Sequence, residues 1–122
     1  MERHVKMIER MEKDIVLLKK SVSISLCRTD CGIDVLIVGG DQSHIGAVSI
    51  ADPQGQVCTR AFKGHKDQFI SEKWARALYE VCQVPVVVSV GIHYDKIDPA
   101  GIKCVVDAME KQLEEALVLF FI

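Results

Sequence analysis

The sequence lacks a strong charge of either sign, a long apolar run and any internal repeat. Fifteen basic and seventeen acidic side chains leave a formal charge of −2. That removes the basic footprint of a nucleic-acid binder, and no nucleic-acid partner is expected. No apolar run approaches the roughly eighteen residues of a membrane span, so no membrane role is expected either. Met1 to Lys20 is charged throughout and has no apolar centre of the kind a signal peptide carries, which predicts a cytoplasmic protein. The five cysteines, Cys27, Cys31, Cys58, Cys82 and Cys104, are an odd and scattered set. In a reducing compartment they are read as buried thiols. Cys27 and Cys31 stand at C-x-x-x-C spacing with no second pair, which argues against a zinc site. The H-E-x-x-H, G-x-S-x-G, Walker A and G-x-G-x-x-G patterns are all absent. Metalloprotease, serine-hydrolase, P-loop and dinucleotide-binding readings therefore find no support.

What is present is ordinary globular material. Apolar residues make up 49% and charged residues 26%, which fits one domain with a real core and not a disordered chain. Val5, Ile8, Met11, Ile15 and Leu18 recur in steps of three and four, which predicts an N-terminal helical extension over residues 1–20. A single α/β domain is expected over 21–122. Val22, Ile24 and Leu26 alternate with serines, the period of a half-buried strand. Ile33 to Val38 reads as a central strand. Ala47 to Ala51 and Gln56 to Phe62 read as strands hairpinned through Asp52-Pro53-Gln54-Gly55.

The second half changes character. Asp67 to Val81 sets Ile70, Trp74, Ala77, Leu78 and Val81 on one helical face. Val86 to Val90 reads as an interior strand. Asp98-Pro99 is a strong helix start, and the helix turns Ile102, Val105, Val106, Met109, Leu113 and Leu117 inward. The fold class predicted is α/β (α+β). It is a single mixed sheet, with an N-terminal antiparallel meander, then helix-strand-helix, and helices packed on the sheet. The apolar ending Val118 to Ile122 either closes the core or makes a subunit contact.

Three turns concentrate the chemistry. Gly39 to Gly46 follows a buried strand and offers Gly40, Asp41, Ser43, His44 and Gly46, with glycine allowing close approach of backbone to ligand. Lys63 to Asp67 opens a helix, where free N–H groups and the dipole favour an anion, and Gly64, His65 and Lys66 sit at that end. The plainer reading has Asp67 capping the helix and the lysines solvated. Gly91 to Asp95 follows a strand at its carboxyl end, where open α/β sheets tend to bind ligands, and carries Gly91, His93, Tyr94 and Asp95. The plainer reading there is an Asp95–His93 hydrogen bond that fixes the loop. His4 is discounted. If the fold gathers His44, His65 and His93, the pocket has ligands suited to a divalent metal, or donors suited to phosphate and a polar ring.

The stretch GGDQSHIGAVSIA, then KGHKD at a helix start, then VVVSVGIHYDKI before a helix, resembles the prenylated-flavin chaperone family. These are the small D subunits associated with gallate and hydroxyarylic-acid decarboxylases. The likeness spans roughly Ile33 to Leu117, and the first twenty residues look like an addition. Family members often carry a glutamate and a small residue before H-I-G, where this chain has Asp41-Gln42-Ser43. The resemblance implies a fold like that of the proteasome-assembly chaperones and a homodimer. It also implies an accessory flavoprotein, not an enzyme, that binds prenylated FMN (or FMN) and delivers or matures it for a prenylated-flavin-dependent decarboxylase. Two other readings stay open. One is a structural or assembly subunit of such a decarboxylase complex. The other is a small metal-dependent enzyme using His44, His65 and His93.

Overall fold

The computed structural model describes residues 8–62 and 64–121. Six strands and two helices follow the order β1 (Glu9–Leu17), β2 (Lys20–Thr29), β3 (Gly32–Gly40), β4 (Gln42–Ala51), β5 (Val57–Ala61), α1 (Lys66–Cys82), β6 (Val86–His93) and α2 (Pro99–Phe121). The strands form one mixed sheet in the order β1-β2-β3-β6-β4-β5. The first three make an antiparallel meander. β4 and β5 make a hairpin. β6 enters between them, parallel to β3 and antiparallel to β4. The mixed sheet, the meander and the helix-strand-helix ending are thus as the sequence predicts.

Both helices pack on one face of the sheet. Alternate residues of β2, β3 and β6 (Val22, Ile24, Leu26; Val35, Ile37; Val88, Val90) are buried against Ile70, Trp74 and Leu78 of α1 and Val105, Met109 and Leu113 of α2. This is period two meeting period 3.6, the condition for a sheet–helix core. Trp74 fills its centre and donates its indole N–H to Met109 O at 3.2 Å. Local signals in the sequence work as expected. Asp52 Oδ1 accepts from Gln54 N and Gln56 N to shape the β4–β5 turn. Asp98 Oδ1 accepts from Gly101 N at 2.7 Å, capping α2 ahead of Pro99.

Four expectations are corrected. The N-terminal stretch is not a helix over its described part, because Glu9–Leu17 is an edge strand paired with β2 along its whole length. Met11, Ile15 and Leu17 face the helices together with Lys13, whose ammonium reaches Glu115 of α2 at 2.7 Å. A lysine whose head meets a carboxylate completes a period-two face that looked like period 3.6. The cysteines are not buried: Cys31, Cys58 and Cys104 are exposed, while Cys27 and Cys82 are partly covered. Val81 points outward at 48% exposure. Ile102 is not sealed in the core either, at 38%. At the C-terminus Leu113 and Ala116 are buried, whereas Val118 and Leu119 are exposed. His4, Val5 and Lys63, and the side chains of Phe120 to Ile122, lie outside the described residues.

The β1–β2 turn consists of Leu18 and Lys19, with φ of 50° and 68°. Two successive left-handed residues are the two-residue hairpin geometry that asparagine and glycine serve best. Leu18→Asn with Lys19→Gly is expected to stabilise the protein by about 1 kcal/mol, read from urea unfolding. A loss of stability would contradict this turn.

Candidate functional site

At one end of the sheet the first turn of α1, the end of β6 and the start of β4 converge. The site is built around Asp67, which is 3% exposed. Asp67 Oδ1 accepts from Ile92 N of β6 at 3.2 Å and from Lys66 Nζ at 3.0 Å. Lys66 Nζ also donates to Ile92 O. Asp67 Oδ2 lies 3.5 Å from His44 Nε2. A buried carboxylate is tolerable only when donors surround it, and here strand β6 and helix α1 each supply one. Asp67 is therefore not the helix cap. The N-cap is His65, with no side-chain hydrogen bond, so the first turn of α1 keeps its N–H groups unclaimed by any cap.

His44 reaches Asp67 because β4 is irregular between Ser43 and Ala47. The bulge turns a strand residue toward α1. Two glycines make this possible by close approach. A Cβ on Gly46 would sit 2.1 Å from Asp67 Oδ2, and a Cβ on Gly91 would sit 1.6 Å from His44 O. The His44 ring meets the His93 ring edge to face, with centroids 5.8 Å apart and an interplanar angle of 88°. His44 Nδ1 is buried and has no hydrogen-bond partner among the described residues. Such a group is costly, by about 1–3 kcal/mol, and marks a site that a ligand can complete.

These residues border a half-open cavity of about 390 Å³, within the range of small-molecule sites. Its polar side is His44, His65, Lys66, Asp67 and His93, and its other wall includes Ile92, Ile97 and Ile102, with Gly64 and Tyr94 also lining it. Six of the sequence-predicted site residues therefore line one hollow: His44, Gly64, His65, Lys66, His93 and Tyr94. The three histidines do share one cavity. They do not form a ligand set: among the described residues no group of three or more His, Cys, Asp or Glu side chains is placed to hold a metal ion.

The other predicted residues build the walls from behind. Gly40 pairs with His93 at the β3–β6 ladder end, and Asp41 N donates to His93 O at 2.6 Å. Asp41 Oδ2 accepts from Asp95 N at 2.8 Å, and Asp41 Oδ1 lies 3.5 Å from Lys20 Nζ. His93 Nε2 and Asp95 Oδ1 are 2.9 Å apart, the loop-holding contact expected of that turn. Ser43 is exposed, paired with Ile92. Tyr94 lines the cavity with its ring, but its hydroxyl donates to Leu17 O, tying the site to β1. Burial raises that phenol's pKa above the ordinary value. Sequence reasoning missed Asp67 as a site residue, because an aspartate in a first helical turn reads as a cap. It also missed Ile92, Ile97 and Ile102, which look like core.

Two outcomes follow. Asp67→Ala removes the acceptor shared by Ile92 N and Lys66, and is expected to cost about 3–5 kcal/mol in urea unfolding. Asp67→Asn, which can still accept from Ile92 N, is expected to cost less. The second concerns pH. The Asp95 N–H, and then Lys20, hold the Asp41 carboxyl below its ordinary 3.8. A carboxylate with a lowered native value contributes stability above pH 3.8 and loses it as pH falls through the lower value. Amide exchange at Asp95 should thus stay protected down to about pH 4 and speed up below it. Protection that disappears between pH 7 and 5 would contradict the tie.

No curated protein matches the chain. Among solved structures it is similar in fold to a chain of a yeast chaperone complex for 20S proteasome assembly. The TM-score is 0.59 at 15% identity, covering 92% of this chain and 94% of that one. A family model described as the prenylated flavin chaperone LpdD-like domain matches residues 18–120, a range that contains every lining residue of the cavity. The chain belongs to the prenylated flavin chaperone LpdD-like family.

Proposed function

We propose that this protein binds prenylated FMN, or FMN itself, in the His44–His65–His93 cavity and passes it to a partner decarboxylase of the prenylated-flavin type in the cytoplasm. One observation carries the reading: in a chain of this family, an uncapped helix start and an isoleucine wall border the same hollow. A flavin mononucleotide is a planar apolar ring with polar edges, joined to a dianionic phosphate. Gly64, His65 and the first N–H groups of α1 suit the phosphate. Ile92, Ile97 and Ile102 suit the ring face, and His93 and the unsatisfied His44 Nδ1 suit its polar edge and hydroxyls.

The flavin, when bound, carries the chemistry that the decarboxylase uses. This chain's own groups hold it. Asp67 does not repel the phosphate outright, because Lys66 and the backbone of Ile92 already engage its carboxylate. The opening on one side leaves a route for release, as a carrier needs. A site that must give up its ligand is served by few strong contacts, and Lys66 is already shared with Asp67 and Ile92 O. The alternative of a pure assembly subunit leaves the cavity and its orphaned nitrogen without a purpose.

Titration of the purified protein with FMN and with reduced prenylated FMN is expected to give micromolar or tighter binding. No binding of either would refute the proposal. His65→Ala is expected to weaken FMN about tenfold and leave riboflavin unchanged, whereas Ile102→Asp should weaken both. Equal losses for FMN and riboflavin in His65→Ala would remove the phosphate from the α1 start.

A further inference from the structure

The two edges of the sheet are not alike. β1, at one edge, is charged at Glu9, Arg10, Glu12, Lys13 and Asp14. β5, at the other, reads Val57-Cys58-Thr59-Arg60-Ala61, with one charge, no proline and an unbroken register against β4. Charge, proline and bulges are the usual means by which an edge is kept from pairing with another chain. Of these, β5 has only Arg60.

The phase of the β4–β5 ladder shows which groups that edge offers. Phe62 N donates to Gly46 O at 2.7 Å, and Asp52 N donates to Gln56 O at 2.9 Å. In an antiparallel pair, bonded residues alternate with residues whose N–H and C=O point away from the partner strand. Cys58 and Arg60 are in phase with Gln56 and Phe62, and so bond to β4. Val57, Thr59 and Ala61 turn their N–H and C=O outward, and no hydrogen bond within the described residues reaches them. The strand is also held rigidly. Thr59 Oγ1 lies 2.7 Å from Ser49 Oγ, which lies 2.7 Å from Ser71 Oγ of α1. At the preceding turn, Tyr79 of α1 donates its hydroxyl to Pro53 O at 2.9 Å.

Thr59 therefore faces the helices, whereas Cys58 and Arg60 stand on the other side of the sheet, the open face. Arg60 is exposed there and has no ion-pair partner among the described residues. Phe62, next after the strand, is 61% exposed. Two residues further on, Gly64 and His65 line the cavity. The unguarded edge thus leads directly to the rim of the site.

We infer that β5 is the docking edge for the protein that exchanges ligand with this cavity, and that an extended segment of that protein joins the sheet as a further strand. The partner's identity as a prenylated-flavin-type decarboxylase rests on the function proposed above. Main-chain bonds to Val57, Thr59 and Ala61 supply affinity, and the side chains at Arg60 and Phe62 supply choice. The segment that fits has a carboxylate opposite Arg60 and an aliphatic or aromatic residue beside Phe62, because opposite charges and aromatic–aliphatic pairs stabilise neighbouring strands. A second copy of β5 is a poorer match, since Val57–Ala61 contains no acid to meet Arg60.

Amide exchange of the full chain, alone and with the cofactor-free decarboxylase of the same organism, reads the edge directly. The amides of Val57, Thr59 and Ala61 are expected to slow severalfold when the decarboxylase is added, while those of the β1 edge stay unchanged. Ala61→Pro removes an outward N–H without breaking a bond to β4, and is expected to weaken association about tenfold. Arg60→Glu keeps every backbone group and is expected to weaken it by a similar factor. Both variants should bind FMN as the wild type does. The inference is overturned by a decarboxylase that does not associate, by association that leaves the β5 amides or both variants unaffected, or by protection of β5 that rises with concentration of this chain alone. Protection of β5 by the decarboxylase in a protein that binds no flavin refutes the carrier function instead and leaves the docking edge standing.

Discussion

Everything at the working end of this molecule hangs on one buried carboxylate. Asp67 accepts from the backbone of β6 and from the side chain of its neighbour Lys66, with the His44 imidazole 3.5 Å away, so a single group ties α1 to β6 beside the β4 bulge. A carboxylate out of water is a liability unless donors meet it from several directions. That requirement dictates local sequence. Position 46 must be glycine because any Cβ there would occupy the place of Asp67 Oδ2. Position 91 must be glycine because the backbone of His44 crosses directly over it. Gly46 and Gly91 give the clearance that lets the histidine loop lie down against the helix.

A second set of ties holds the outer rim. Asp41 at the β3–β4 turn receives Asp95 N, while its own N–H bonds His93 O and its other oxygen meets Lys20. Tyr94 reaches across to Leu17 O. Residues from the β1–β2 hairpin thus support the loop that carries His93. The edge strand is part of the scaffold of the site, even though it lies ahead of the residues that the family model matches. An exposed edge with unpaired backbone groups is usually managed by charge. β1 follows that pattern with Glu9, Arg10, Glu12, Lys13 and Asp14 along it.

Which parts were legible in the sequence follows from the range of each interaction. Turns and caps are local, and Asp52-Pro53-Gln54-Gly55 and Asp98-Pro99 act as their chemistry says. The alternation of β2 and the apolar runs of β3 and β6 are likewise local patterns that the core obeys. β1 was misleading because Lys13 occupies an inward position and because Leu-Lys forms a turn normally built from Asn-Gly. Insertion of β6 between β3 and β4 is invisible from sequence alone, since nothing near Val86 records which strands it will separate. That insertion gathers the three histidine turns at one end, so the site was guessable by residue type but not by position. Asp67 stayed hidden for the same reason: Ile92 and His44 lie more than twenty residues from it along the chain, and a first-turn aspartate already has an ordinary explanation.

The two faces of the sheet divide the work by their burial patterns. The helix-bearing face places its apolar residues in a closed core and leaves a cavity where α1 begins. The open face carries apolar residues on the three central strands and, at Val16, on the edge strand β1. A sheet that served only as a platform for helices would gain nothing from Leu36, Val48 and Ile50 in water, and burying each is worth on the order of 1 kcal/mol or more. The group that organises the cavity, Asp67, is held on the helix-bearing side by Ile92 N and Lys66. A six-stranded sheet with helices on one side thus keeps the cavity and the open face apart.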